Sequence, residues 1–224
     1  MRGARLNPAI LDAQLALFRR LREEAGDAEV RVGWKVGHAI AEVDALSPAL
    51  PAVGWISPRS VLRDGDTYRV GAARALRAET EVVIVLGRSI GAEAADDAIR
   101  SAIAGFRVAL EIVDVARPPA DGQAIIRGNL FHRAVVIGEP HPGRGSTIGS
   151  ATLSVNGRVH EADEEPRDPV TVVREVARVL SACGECLIAG DRILAGSVVH
   201  VPVAAGDELR AEIDGLGSAA ARLG

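Results

Sequence analysis

Apolar and polar positions alternate along the chain with two different periods. From about Pro8 to Glu24, Ile10, Leu11, Leu15, Phe18 and Leu21 recur near helical spacing, with Arg19, Arg20, Arg22, Glu23 and Glu24 on the other side. This spacing predicts an amphipathic helix within a segment at about 6–26, capped by Asn7 before Pro8. Residues 30–38 then read as a short strand in which Lys35 stands between Gly33 and Gly37. Lysine inside a buried strand is unusual, so the pattern fits either an edge strand with a snorkelling side chain or a lysine kept for chemistry. Residues 39–75 are punctuated by Pro and Gly and read as loops with short strands. Within them, Ser47 to Pro58 is expected to form a loop over a substrate or a plain connection.

The strongest extended pattern is Leu76-Arg77-Ala78-Glu79-Thr80-Glu81-Val82-Val83-Ile84-Val85-Leu86-Gly87. Side chains alternate faces in a strand, so Glu79 and Glu81 project from the same side and repel unless a cation or proton lies between them. Val108-Ala109-Leu110-Glu111-Ile112-Val113 repeats the theme with one carboxylate in an apolar run. A lone buried carboxylate is costly and needs a partner. Three glutamates on two core strands, with no Lys or Arg from Ala78 to Gly87 or from Val108 to Val113, suggest a hard divalent cation held by oxygen ligands. Gly91 to Ala104 has the spacing of a crossover helix, compatible with a parallel pair that would bring the two acidic strands into one sheet.

Beyond Asp114 the pattern predicts a loop, then a turn carrying Asn129 and His132, residue types that more often serve turns and surfaces than chemistry, and a strand from Ala134 to Gly138. Asn156-Gly157, flanked by alternating apolar residues from Leu153 to His160, predicts a hairpin. Asp168-Pro169 opens a helix with Val170, Val173, Val176, Ala177 and Leu180 on one face, ending at Gly184. Leu187 to Ile213 reads as three or four strands separated by turns, and Gly215 to Gly224 as a weakly ordered tail.

Composition narrows the function classes. A length of 224 residues fits a single domain with an N-terminal helical segment, and 48% hydrophobic with 25% charged residues is ordinary for a globular chain. A net charge of −4, without a basic block, argues against nucleic acid as partner. No apolar run approaches membrane-spanning length and no signal-peptide core follows Met1, so no membrane partner and a cytoplasmic location are expected. Cys183 and Cys186 form one Cys-x-x-Cys where a helix ends, the wrong polarity for an activated thiol and too few ligands for a closed zinc site. They are read as structural.

Four ordered blocks, Gly33-Trp34-Lys35-Val36-Gly37, Glu79-Thr80-Glu81, Leu110-Glu111-Ile112-Val113-Asp114 and Gly190-Asp191-Arg192-Ile193-Leu194-Ala195-Gly196-Ser197, resemble the bacterial 2-keto-4-pentenoate hydratases and oxalocrotonate decarboxylases of the fumarylacetoacetate hydrolase superfamily. The resemblance runs from roughly residue 6 to residue 214. It implies an α+β fold, a β-rich rolled mixed sheet with flanking helices, usually as a homo-oligomer. It implies Mg²⁺ or Mn²⁺ on Glu79, Glu81 and Glu111, with Lys35 moving a proton beside a small anionic 2-oxo acid or its enol.

Three departures from the family pattern are visible. The segment that commonly supplies a catalytic aspartate matches Gly54-Trp55-Ile56-Ser57-Pro58, which leaves Ile56 and Ser57 at the substrate-reading position. The Asp-Asn-Ala-Ser-Ser block is matched by Gly128-Asn129-Leu130-Phe131-His132, so Asn129 is kept and His132 becomes a candidate acid or base. Ala195 replaces a threonine ahead of Gly196 and Ser197, leaving Ser197 as a substrate contact. The leading reading is a lyase acting by hydration or decarboxylation. An acylpyruvate-type C–C hydrolase lacks an obvious water-activating Glu-His pair, and a degenerate metal-binding paralogue is the non-enzymatic alternative.

Overall fold

The computed structural model describes residues 6–25, 31–38, 40–47, 49–73, 75–116, 121–140, 149–162 and 164–224. Helix α1, Pro8–Ala25, begins where Asn7 Oδ1 accepts the Ala9 N–H at 2.9 Å. It buries Ile10, Ala13, Leu17 and Phe18, while Leu15 faces outward. Gln14 is also buried, its amide paired with the backbone of Val53. Helix α2 covers Ala41–Asp44, α3 Asp96–Ala102, α4 Gly122–Arg127 and α5 Pro169–Ala182. Asp168 caps α5 by accepting the Thr171 N–H at 2.8 Å, with Pro169 in the first turn, as the sequence indicates.

Among the described residues twelve strands form two sheets. They are β1 Gly33–Gly37, β2 Ala52–Ile56, β3 Val61–Leu62, β4 Thr67–Tyr68, β5 Leu76–Leu86, β6 Ile103–Asp114, β7 His132–Ile137, β8 Ala151–Val155, β9 Arg158–Glu161, β10 Arg192–Pro202, β11 Glu208–Ile213 and β12 Gly217–Leu223. The larger sheet runs β2-β1-β10-β5-β6-β7-β3 and the smaller one β4-β12-β11-β8-β9. The larger is mixed: β1 pairs β10 and β3 pairs β7 in parallel, and the other ladders are antiparallel. Ile56, Val83, Ala109, Val135 and Leu194, drawn from β2, β5, β6, β7 and β10, belong to one buried cluster. Strands that distant in the sheet order can share a cluster only if the sheet curls, so the expected rolled mixed sheet is present.

One face of β5 meets two neighbours in turn. Ala78, Val82, Leu110 and Ile112 pack against the smaller sheet, and Thr80 donates to the Thr152 carbonyl at 3.0 Å. Ile84 joins the helical layer with Phe18, Trp34, Trp55 and the apolar face of α5. Phe18, Trp34 and Trp55 stack edge-on with centroids 5.3 to 6.2 Å apart. The alternate residues Glu79, Glu81 and Val83 are thereby turned to the concave side.

Several sequence expectations need correction. β5 and β6 are antiparallel, Glu79 lying directly opposite Glu111. The seven-residue α3 recovers only about 10 Å of the roughly 37 Å spanned by the eleven residues of β5, and it delivers the chain back at the end it left. Ala52–Ile56 is a buried strand rather than a covering loop. β1 lies between β2 and β10, so Lys35 is not on an edge. The apparent turn at Gly196 is a bulge within one long β10, and Leu187 to Ile213 therefore holds two named strands. The C-terminal residues form β12, whose Ala219, Ala221 and Leu223 are buried against the larger sheet; alanine's weak strand preference conceals that alternation. The Asn156-Gly157 hairpin is present, both residues having positive φ, 51° and 80°.

Candidate metal centre and cavity

The direct register of β5 on β6 places Glu79 opposite Glu111, and the two-residue strand period adds Glu81 on the same face. One carboxylate oxygen from each of the three lies within 4.8 Å of the others. All are buried, Glu111 completely. The bulge in β10 sets Gly196 at φ 114°, and its N–H donates to Glu81 Oε2 at 3.0 Å. Among the described residues this is the single cluster of three or more His, Cys, Asp or Glu side chains with metal-binding spacing.

Lys35 reaches the cluster from β1. Its Nζ donates to Glu111 Oε1 at 2.6 Å and to the Leu130 carbonyl at 3.3 Å. Gly54, beside it on β2, makes the path possible: a Cβ there would lie 2.6 Å from Lys35 Cγ and 2.9 Å from Asn129 Oδ1. Burial disfavours the Lys35 charge, but Glu111, Glu79 and Glu81 outweigh it and raise the ammonium pKa above the ordinary value. Burial also opposes ionisation of Glu111, which Lys35 and the His132 hydrogen bond overcome, holding that carboxyl below its usual range. Glu81 moves the other way, raised well above its usual range by burial and by the charges of Glu111 and Glu79.

The donor set fits a divalent cation. Glu111 Oε1 is occupied by Lys35 and by His132 Nδ1, also at 2.6 Å, whereas Oε2 is buried without a hydrogen-bond partner among the described residues. An ionised carboxylate only accepts, so His132 Nδ1 carries the proton. An orphaned anionic oxygen beside a carboxyl that resists ionisation is the arrangement a hard cation relieves.

The cluster opens on a cavity of about 680 Å³ whose lining includes Lys35, Glu79, Glu81, Phe131, Ser197 and His200. The family model for the fumarylacetoacetate (FAA) hydrolase C-terminal region matches residues 23–223. The chain belongs to this fumarylacetoacetate hydrolase family. A search of curated proteins finds no match. Among solved structures, 4-oxalocrotonate decarboxylase from Pseudomonas putida G7, complexed with magnesium and adipate, has a TM-score of 0.80 at 21% identity, covering 96% of this chain and 86% of its own. The same enzyme with calcium and acetate gives 0.78 at 22%, with 96% and 85% covered. Fumarylpyruvate hydrolase from Pseudomonas aeruginosa, in complex with Mn²⁺ and pyruvate, gives 0.64 at 19%, covering 89% and 97%.

Within this hydrolase-family fold, the residues singled out from sequence divide into two groups. Glu79, Glu81, Lys35 and Ser197 reach the cavity; Ser197 Oγ donates to the Val199 carbonyl at 2.8 Å. Glu111 sits behind them at the base. His132 is buried behind Glu111 and is not part of the cavity wall, so its geometry suits orienting Glu111 rather than meeting a substrate. Ile56 is a fully buried member of the apolar plug below the glutamates, and Ser57 precedes the short 3-10 turn Pro58–Ser60; neither lines the cavity, because β2 turns them into the sheet interior and its end. Asn129 grips the backbone of Trp55 with bonds of 2.8 and 2.9 Å. That grip holds three consecutive residues, Asn129, Leu130 and Phe131, at φ 62°, 54° and 66°, and so aims the Leu130 carbonyl at Lys35.

His200 is the residue that sequence reading missed. It pairs with Glu79 across β10 and β5, its Nδ1 lying 2.6 Å from Glu79 Oε1, and it lines the cavity. Only the bulged register of β10 brings it there. Cys183 and Cys186 are unpaired, and burial raises the Cys183 thiol to about 11, in keeping with a structural role. Among the described residues no helix is long and apolar enough to cross a membrane.

Proposed function

We propose that this protein is a divalent-metal-dependent lyase acting on a small 2-oxo acid or its 2-hydroxydienoate enol, by hydration or decarboxylation. The observation that carries the reading is the convergence of Glu79, Glu81 and Glu111 with the Lys35 ammonium at one cavity. Mg²⁺ or Mn²⁺ held by the three carboxylates would polarise the 2-oxo or enol oxygen and offset the charge developing on it. Lys35 carries a proton at Nζ within a buried site and can pass it to a substrate carbon. Glu111 Oε1 and the Leu130 carbonyl aim that nitrogen, and His132 fixes Glu111 from behind. The plug of Ile56, Val83, Ala109, Val135 and Leu194 keeps water from the inner side of the carboxylates. Support for the metal and ligand class comes from the neighbours described with magnesium and adipate, calcium and acetate, and Mn²⁺ and pyruvate.

A C–C hydrolase of the acylpyruvate type is the second reading, favoured by one observation: the cavity-facing His200 bonded to Glu79 supplies the Glu-His couple such chemistry uses to activate water. A panel of 2-hydroxydienoates, oxalocrotonate-like diacids and acylpyruvates, followed by ultraviolet absorbance with Mg²⁺ and with chelator, separates the two. Metal-dependent loss of the dienoates without cleavage to two acids supports the lyase. Cleavage of acylpyruvates alone supports the hydrolase, and metal binding without turnover supports a non-catalytic paralogue. A single catalytic unit in the cytoplasm, assembled as a homo-oligomer, belongs to the same proposal; light scattering of the purified protein checks the assembly.

A further inference from the structure

We propose that Arg77 is a specificity residue that selects 2-oxo acids bearing a second, distal carboxylate. This rests on the 2-oxo acid reading above and narrows its substrate class. Arg77 precedes Glu79 by two residues on β5, so it shares the face that carries Glu79 and Glu81, and it lines the same cavity. Its cross-strand neighbours are Val113 on β6 and Pro202 on β10, so no carboxylate lies opposite it, in contrast to Glu79, which faces Glu111 and His200. Among the described residues the half-buried guanidinium makes no hydrogen bond or ion pair. Lys35, the other cavity-lining cation of fixed charge, is already committed to Glu111.

A guanidinium left unpaired at a cavity wall, on the strand that holds the three-carboxylate centre, is a receptor for an anion of the ligand. Its planar fork matches a carboxylate in two parallel bonds. The position also sets a length. Two residues of extended strand cover about 7 Å, and each carbon–carbon bond of an extended acid advances roughly 1.3 Å from a bond length of about 1.5 Å. A chain with about five such bonds between its carboxyl carbons therefore spans from the Glu79 level to the Arg77 level. Glu42 and Glu164 also line the cavity, so the anionic end is directed to Arg77 by position rather than by a uniformly positive wall.

The test compares two six-carbon ligands that differ only at the distal end, 2-oxoadipate and 2-oxohexanoate, titrated calorimetrically into the Mg²⁺-loaded protein. The unmodified protein is expected to favour the diacid by at least about tenfold. Arg77→Gln should bring the ratio of affinities close to one, and Arg77→Lys should retain part of the preference, since it keeps the charge and loses the fork. A ratio near one in the unmodified protein, or a full diacid preference in Arg77→Gln, overturns the assignment. Binding of Mg²⁺ with no binding of either acid overturns the 2-oxo acid reading, and the Arg77 assignment with it.

Discussion

Replacing Glu111 by Gln keeps the shape of the side chain and removes its charge, which makes it a sharp probe of the site. Glu111 is completely buried and accepts two hydrogen bonds of 2.6 Å on one oxygen, from Lys35 and His132. Breaking a buried ion pair costs about 3–5 kcal/mol when the partner's charge is left behind. Here Glu79 and Glu81 lie within reach of the same charge, so the low end, about 3 kcal/mol, is expected for the metal-free protein. At roughly 2–4 °C per kcal/mol for a chain of this size, Tm should fall by about 6–12 °C. Metal binding should suffer separately, because the amide oxygen stays at the Lys35 and His132 donors and its NH2, which cannot ligate a cation, then stands where the anionic Oε2 did. Calorimetric titration with Mg²⁺ should show at least about a hundredfold loss of affinity, or about 2.7 kcal/mol. Affinity within about threefold of the unmodified protein, in a variant that still folds, would refute the three-glutamate site. Glu79→Gln, at the cavity-facing end of the cluster, gives the same test with a smaller folding penalty.

Three further outcomes follow from the same geometry. The raised pKa of Glu81 favours its protonated form in the metal-free fold, so that stability is fully present below the ordinary glutamate value of about 4.3 and is lost as pH rises through the folded value. Mg²⁺ must displace that proton, so the thermal shift it induces should grow over the same rise in pH; a shift independent of pH would contradict the assignment. Gly54→Ala places a Cβ 2.6 Å from Lys35 Cγ and should cut turnover on any 2-oxo acid substrate more than tenfold while metal affinity stays near that of the unmodified protein. Removing the α5 cap with Asp168→Ala should cost about 1 kcal/mol in urea denaturation without touching metal binding, a control that leaves every cavity-lining side chain in place.

The inner half of the site was legible in the sequence because strand alternation is strict. Two glutamates separated by one residue must share a face, and a carboxylate in a second apolar run needs the same partner, so Glu79, Glu81 and Glu111 could be grouped without coordinates. Lys35 stood out because lysine between strand glycines has no packing rationale, and the structure supplies the reason for Gly54 beside it. The outer half was hidden by long-range register. His200 reaches Glu79 only through the two irregularities in β10, which no local pattern encodes. Arg77 lay in the acidic stretch but gained meaning only once its cross-strand neighbours were known to be apolar. Ile56 and Ser57 were placed at the substrate by the family match of Gly54 to Pro58; they lie off the cavity wall because β2 is a buried strand. The antiparallel pairing of β5 with β6 was missed because strand, helix, strand is compatible with both directions when the helix is short.

The central claim is that Lys35 moves a proton on a 2-oxo acid held at the three-glutamate centre. The most direct measurement is solvent deuterium exchange at C3 of a bound 2-oxo acid, followed by NMR with Mg²⁺, with chelator, and in Lys35→Ala. Exchange that requires Mg²⁺ and disappears in Lys35→Ala is the expected result. Exchange that persists in Lys35→Ala, or proceeds unchanged in chelator, would contradict it.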